Sequence, residues 1–166
     1  VDVGRFVSWT MGGAGISATL LVVALFLLGE LVPGWGAART ASSWIGILVG
    51  TLVGAPLLLL PRRRTRPSPD QVLEYLLLSG TTLAVGSLIF SAADLHTVAF
   101  LGLMPLLWGA LRFPGLGAAL QMALMAAIAT SGTLANRGPF ATAAGGDEFL
   151  LLATFLASGA LLHLVL

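Results

Sequence analysis

Long apolar runs separated by short polar segments set the pattern of this chain. A membrane-spanning helix needs about 20 mainly apolar residues. Six runs read as such spans: Phe6–Val32, Trp44–Leu60, Val72–Ser91, Thr97–Leu111, Leu116–Leu134 and Phe149–Leu166. The fourth is short and contains Pro105, so a kink, a tilt or a partly re-entrant course is expected there. Between the fourth and fifth, "RFPG" (Arg112–Gly115) leaves room only for a tight helical hairpin, with Pro114 and Gly115 supplying the turn. No stretch alternates apolar and polar positions as a half-buried strand would. The expected fold is all-α: a polytopic integral membrane helix bundle of about six helices.

Composition strengthens this reading. Of the 166 residues 57% are hydrophobic and 9% charged, with a mean hydropathy of +0.99, whereas a soluble globular domain carries roughly 25% charged residues. So few charges would not cover a water-exposed surface, and lipid is the natural solvent. There is no cysteine, which excludes a disulfide framework and thiolate chemistry. Two widely separated histidines give no metal-ligand spacing, so neither a metal nor a cofactor is expected.

The net charge of +1 says little, but its placement orients the chain. With "PRRRTRPSPDQ" (Pro61–Gln71) in the cytoplasm, alternation of the spans puts Arg5, Arg62, Arg63, Arg64, Arg66 and Arg112 inside. Arg39 and Arg137 fall outside. Short loops follow this positive-inside bias, so both termini are expected in the cytoplasm of a bacterial cell, with the bundle in its inner membrane. The short, proline-flanked Arg62–Arg66 run suits anionic lipid, and no nucleic-acid partner is expected.

One segment imitates catalytic chemistry. Gly145-Gly146-Asp147-Glu148-Phe149 spells the signature of diguanylate cyclases, in which glycines admit the nucleotide and the acids help hold magnesium. That chemistry needs a soluble α/β domain, and here only spans and short loops precede the motif. It also falls on the outer side, away from cytoplasmic GTP. A motif without its structural context carries no function. The plainer role of Asp147 and Glu148 is negative charge at the N-terminus of the sixth helix. No nucleophile–base pair or phosphate loop appears elsewhere, and no enzymatic activity is expected.

Three fragments then stand in order: "SSWIGILVGTLVGAPLLLL" (Ser42–Leu60), "MPLLWGALRFPGLGAAL" (Met104–Leu120) and "SGTLANRGPF" (Ser131–Phe140). Their order and spacing resemble the first (type 1) family of membrane-associated sensor domains of bacterial signalling proteins. The matching positions are Trp44, Gly46, Gly50, Ala55, Pro56, Pro105, Trp108, Arg112, Phe113, Gly138, Pro139 and Phe140. Where the family often has Asp after Trp-x-Gly, this chain has Ile47. Family members usually carry about eight spans ahead of a histidine kinase, a cyclic-di-GMP enzyme or a phosphatase. Residues 1–166 are therefore expected to be the C-terminal portion of one transmembrane sensor domain in a longer chain, lacking an N-terminal pair of helices and the output domain. The resemblance also implies a packing like the substrate-binding subunits of energy-coupling-factor transporters.

The expected function is a sensory input module that detects an extracytoplasmic or membrane-borne cue and regulates a cytoplasmic output domain in the same chain. The alternative, from another class, is a substrate-binding subunit of a membrane transporter. A small ligand of unknown identity, the lipid bilayer and a second copy in a homodimer are the expected partners. Candidate ligand-binding residues are Trp44, Asp94, His96, Asn136 and Arg137, polar or aromatic groups near the outer mouth. Gly46, Gly50 and Gly54, and Gly115, Ala119 and Ala123 (continuing to Ala127 and Ser131), recur every four residues, as on close-packed membrane helices. Trp108 and Arg112 lie one turn apart and form a candidate brace for the inner hairpin. Glu74 is near enough in the topology to pair with an arginine there.

Overall fold

A computed structural model describes residues 37–59, 68–91, 96–113, 115–141 and 148–165, with scattered residues between 8 and 24. The described residues are helical apart from a few in turns, bends and short connections, and none of them is in a strand. Those between 8 and 24 are all helical and lie within the first expected span. The remaining elements are α1 (Ala37–Leu59), α2 (Pro69–Ser91), a 3-10 segment (His96–Gly102), α3 (Leu103–Arg112), α4 (Leu116–Leu134) and α5 (Glu148–Val165). The chain divides into two compact units, Val1–Leu52 and Val53–Leu166.

Two helices start earlier than the hydrophobic pattern indicates. Helix α1 takes in Ala37–Ser43, expected as loop, because Ala-Ala-Arg-Thr-Ala continues a helix with little cost. Helix α2 begins at Pro69, before its apolar run. Ser68 and Gln71 cap it reciprocally: the Gln71 N–H donates to Ser68 Oγ (3.3 Å), and the Ser68 N–H to Gln71 Oε1 (3.2 Å). Pro69 follows in the first helical position, where a missing N–H costs nothing, and Asp70 sits in the first turn.

The break in the fourth run lies before Pro105, not at it. Residues 96–102 wind as a seven-residue 3-10 segment, and α3 then starts at Leu103. Pro105 thus occupies the first turn of α3, where no intrahelical N–H bond is required of it. The hairpin to α4 is as tight as expected. The Phe113 N–H donates to Gly109 O (2.8 Å), the Ala118 N–H to Phe113 O (2.8 Å), and Gly115 adopts φ 78°.

Within the second unit α4 packs against α2, α3 and α5, while α3 also meets α2 and α5. The buried positions on α2 (Leu78, Thr82, Gly86, Ile89 and Phe90) and on α4 (Ala118, Ala119, Gln121, Met122, Met125 and Ala129) recur at helical spacing. That repeat puts each set on one helical face.

The outward faces are also apolar. Leu73, Leu76, Leu77 and Leu88 on α2 are exposed. Helices α2 and α4 are long and apolar enough to cross a membrane, yet only 22% and 33% of their most hydrophobic stretches are buried. An apolar core helix of a soluble protein would be mostly covered, and a contiguous apolar surface of this size in water would drive association. Lipid resolves the conflict, since it solvates the outward leucines while the inward face packs by dispersion. The other described helices fall short of that length in their most apolar parts.

Candidate functional site

Three features of the second unit hold the expected functional residues or explain them. The first is the turn after α4. The Arg137 N–H donates to Gly132 O (2.9 Å) and the Asn136 N–H to Thr133 O (3.0 Å), while Asn136 takes φ 53°. This pairing ends a helix through a left-handed residue, usually Gly and sometimes Asn. Asn136 therefore has a backbone duty whatever its side chain binds, and both Asn136 and Arg137 are exposed. Asn136→Gly should keep or slightly raise thermal stability, while Asn136→Ala should lose about 1 kcal/mol. A paired melting comparison checks this. It also supplies a variant lacking the Asn136 amide on an intact fold.

Beyond that turn the chain folds back onto the C-terminal end of α2. A Cβ placed on Gly132 would come within 2.8 Å of Phe90 O, and one on Gly138 within 2.9 Å of Phe90 Cα. Gly138 has φ 84°. Pro139 and Phe140 are buried. The Phe140 ring meets Phe90 (centroids 5.6 Å) and Phe155 of α5 (5.8 Å), and Phe90 meets Phe155 (5.7 Å). The "RGPF" segment is thus a clasp that ties the loop to α2 and α5. His96 opens the 3-10 segment that follows α2, so its backbone adjoins the same end. Its side chain, Asp94 and Asp147 lie outside the described residues.

The second feature was not singled out in the sequence. Gln121, in the second turn of α4, is 1% exposed. Its Nε2 donates to Ser79 Oγ (2.6 Å), and Thr82 Oγ1, itself fully buried, stands 3.0 Å from Gln121 Oε1. One turn away the Tyr75 hydroxyl donates to Gly117 O (3.3 Å). Polar groups in a bilayer interior bond across helices because lipid offers no other partner. The signal was present in "LGAALQMALMAAIATSGTL": Gln121 is its only amide side chain, with apolar residues on both sides.

The third feature closes the α3–α4 hairpin end. Arg112 Nε donates to Glu74 Oε1 at 2.7 Å, joining α3 to α2. Arg112 is thus paired with the Glu74 carboxylate of α2, the acid that the topology had put within reach of an arginine. Beside it Tyr75 and Phe113 meet edge to face at 5.3 Å.

The small-residue rows divide. Ala119 is buried, Ala123 half-buried, and Gly115, Ala127 and Ser131 are exposed, so the packed face of α4 is offset from that row. On α1, Gly46 is half-buried, and a Cβ on Gly50 or Gly54 would meet nothing within 4 Å. Gly50→Ala should therefore fold at least as stably as the parent, by up to about 1 kcal/mol of helix propensity, in a denaturant titration. Pro56 lies inside α1, near its end. Trp44 is half-buried, and its indole N–H is out of solvent with no acceptor among the described residues. Glu148 stands in the first turn of α5, as a helix N-terminus favours. His163 occupies the last turn of α5, with both ring nitrogens away from solvent.

No curated protein and no solved structure matches the chain. The MASE1 family model, however, matches residues 3–166. That span includes the Trp44, Pro56, Trp108–Phe113 and Gly138–Phe140 positions and nearly all of the apolar pattern. An all-helical, lipid-solvated chain matched over almost its whole length belongs to MASE1, a family of membrane-associated sensory domains.

Proposed function

We propose that residues 1–166 are the input module of a signalling protein, reading an extracytoplasmic or membrane-borne cue and regulating a cytoplasmic output domain in the same chain. The family match over residues 3–166 carries this reading. The output would be a histidine kinase, a cyclic-di-GMP enzyme or a phosphatase. The cue would bind near the loop after α4 and the start of the 3-10 segment, with Arg137, His96 and Asp94 as candidate contacts. Binding shifts a sensor only if the cue favours one of two conformations. Helix α5, clasped through Phe155 and the last of the described helices, is the element that would carry the shift.

The topology is open to direct test because the chain has no cysteine. Ala135→Cys should react with an impermeant maleimide in intact cells, and Thr65→Cys only after permeabilisation. The opposite pattern would overturn the orientation. For the function itself, output activity of the full-length protein in membrane vesicles should lose its regulation when residues 1–166 are replaced by unrelated spanning helices. Regulation that survives the replacement would sink the sensory reading.

A further inference from the structure

Between α2 and the 3-10/α3 segment runs an open groove of about 470 Å³. Its walls include Val85 and Leu88 on one side and Leu101, Met104 and Trp108 on the other. Almost nothing polar faces it. The hydroxyl of Thr81, which also lines it, donates to its own helix at Leu77 O (2.9 Å). Water would gain no hydrogen bonds there, and a polar solute would lose its own. In a bilayer such a slot is filled by hydrocarbon.

One end of the groove is charged. Following the wall of α3 by helical turns, Met104 and Trp108 lead to Arg112, and following α2 back two turns from Thr81 leads to Glu74. The Arg112–Glu74 pair therefore caps the groove. Arg112 spends only its Nε on Glu74, and its side chain is 61% exposed. The terminal amino groups of a guanidinium suit a phosphate oxygen well. The distance along the wall also fits: Leu101 to Arg112 rises roughly 17 Å, close to the ~15 Å hydrocarbon depth of one leaflet.

We propose that this groove is a binding site for one anionic phospholipid of the leaflet on the Arg112 side, its acyl chain along Val85, Leu101 and Trp108 and its phosphate on Arg112. The site names a membrane-borne class of cue and in that respect rests on the sensory reading above. The phosphate takes the terminal amino groups while Glu74 holds Nε, so the two anions repel each other across one guanidinium and lipid occupancy is linked to the α2–α3 brace.

The test uses the full-length protein in phosphatidylcholine vesicles containing increasing fractions of chain-brominated phosphatidylglycerol or chain-brominated phosphatidylcholine. Bromine quenches tryptophan on contact, and subtracting the Trp108→Phe protein isolates Trp108. Half-quenching should need about fivefold less brominated phosphatidylglycerol than phosphatidylcholine, the preference one basic residue at a membrane gives. Arg112→Gln should bring the two curves together, and Glu74→Gln should widen the gap, both with unchanged helical circular dichroism. Superimposed curves for the parent would overturn the proposal in favour of ordinary boundary lipid. No quenching by either lipid would overturn it in favour of a protein segment filling the groove. Output activity is read on the same vesicles. A lipid preference without any output response leaves the site standing and refutes this lipid as the cue, and a regulated output without the preference refutes the site alone.

Discussion

Replacing Gly138 by valine is expected to cost about 3 kcal/mol or more, enough to keep much of the protein from accumulating folded. Two independent penalties meet at this residue. Its φ of 84° is one that a β-branched residue rarely adopts. Its Cβ would also fall 2.9 Å from Phe90 Cα and 3.0 Å from Phe90 O. Those are backbone atoms, so no rotamer change relieves the clash, and any shift of Phe90 disturbs its ring contacts with Phe140 and Phe155. Gly115 separates the two penalties. It has φ 78°, but a Cβ there meets nothing within 4 Å, so Gly115→Ala should cost only the strain, about 1–2 kcal/mol. Thermal unfolding in detergent, followed by size-exclusion recovery, ranks the variants. Equal melting temperatures for Gly138→Val and the parent would show that the clasp does not hold the loop to α2.

Gln121 should give the second large effect, and its direction depends on the replacement. Gln121→Ala removes both the cross-helix bonds and the volume that fills the α2–α4 interface. A loss of about 2–4 kcal/mol is expected, mostly from the cavity. Gln121→Leu keeps most of the volume. It also leaves no orphaned hydroxyl, because Ser79 Oγ still donates to Tyr75 O (2.9 Å) and Thr82 Oγ1 to Leu78 O (2.9 Å). Its loss should be near 1 kcal/mol, the scale measured for hydrogen bonds between membrane helices. Unfolding in mixed micelles distinguishes the cases. Equal losses for the alanine and leucine variants would mean that the hydrogen bonds, and not the packing, hold α2 to α4.

Much of this architecture is legible in the sequence because lipid makes hydrophobicity a direct statement of location. The α4 boundaries, Leu116 and Leu134, and the turn at Gly115 coincide with the end of an apolar run and with turn chemistry. The earlier start of α2 was equally available in Ser68-Pro69-Asp70-Gln71, a capping sequence that hydropathy overlooks because it is polar. The Glu74–Arg112 pair follows once α2 and α3 are known to share an end. Other features depend on rotation of the helices about their axes, which an evenly apolar helix does not reveal. Hence the buried face of α4 runs through Ala118, Ala119, Met122 and Met125, and only Ala119 of the four-residue row that begins at Gly115 is fully buried. Asn136 shows a further limit. An exposed polar residue in a loop invites a binding role, and only the backbone angles disclose that it stops a helix. The groove beside Trp108 could not be anticipated at all, since it arises from the path of the 3-10 segment.

That segment also affects the reach of the chain. Ten residues of α3 rise only about 15 Å, half of a hydrocarbon core of about 30 Å. The seven residues wound as 3-10 add roughly 14 Å, because each rises about 2 Å instead of 1.5 Å. The stretch from His96 to Arg112 is thus just long enough to cross, with nothing in reserve. The 23 residues of α2 extend about 34 Å and can tilt to absorb a thinner or thicker bilayer. Slack is distributed unevenly between these two neighbours, so a change in membrane thickness that α2 takes up by leaning must be met at residues 96–102 by rewinding.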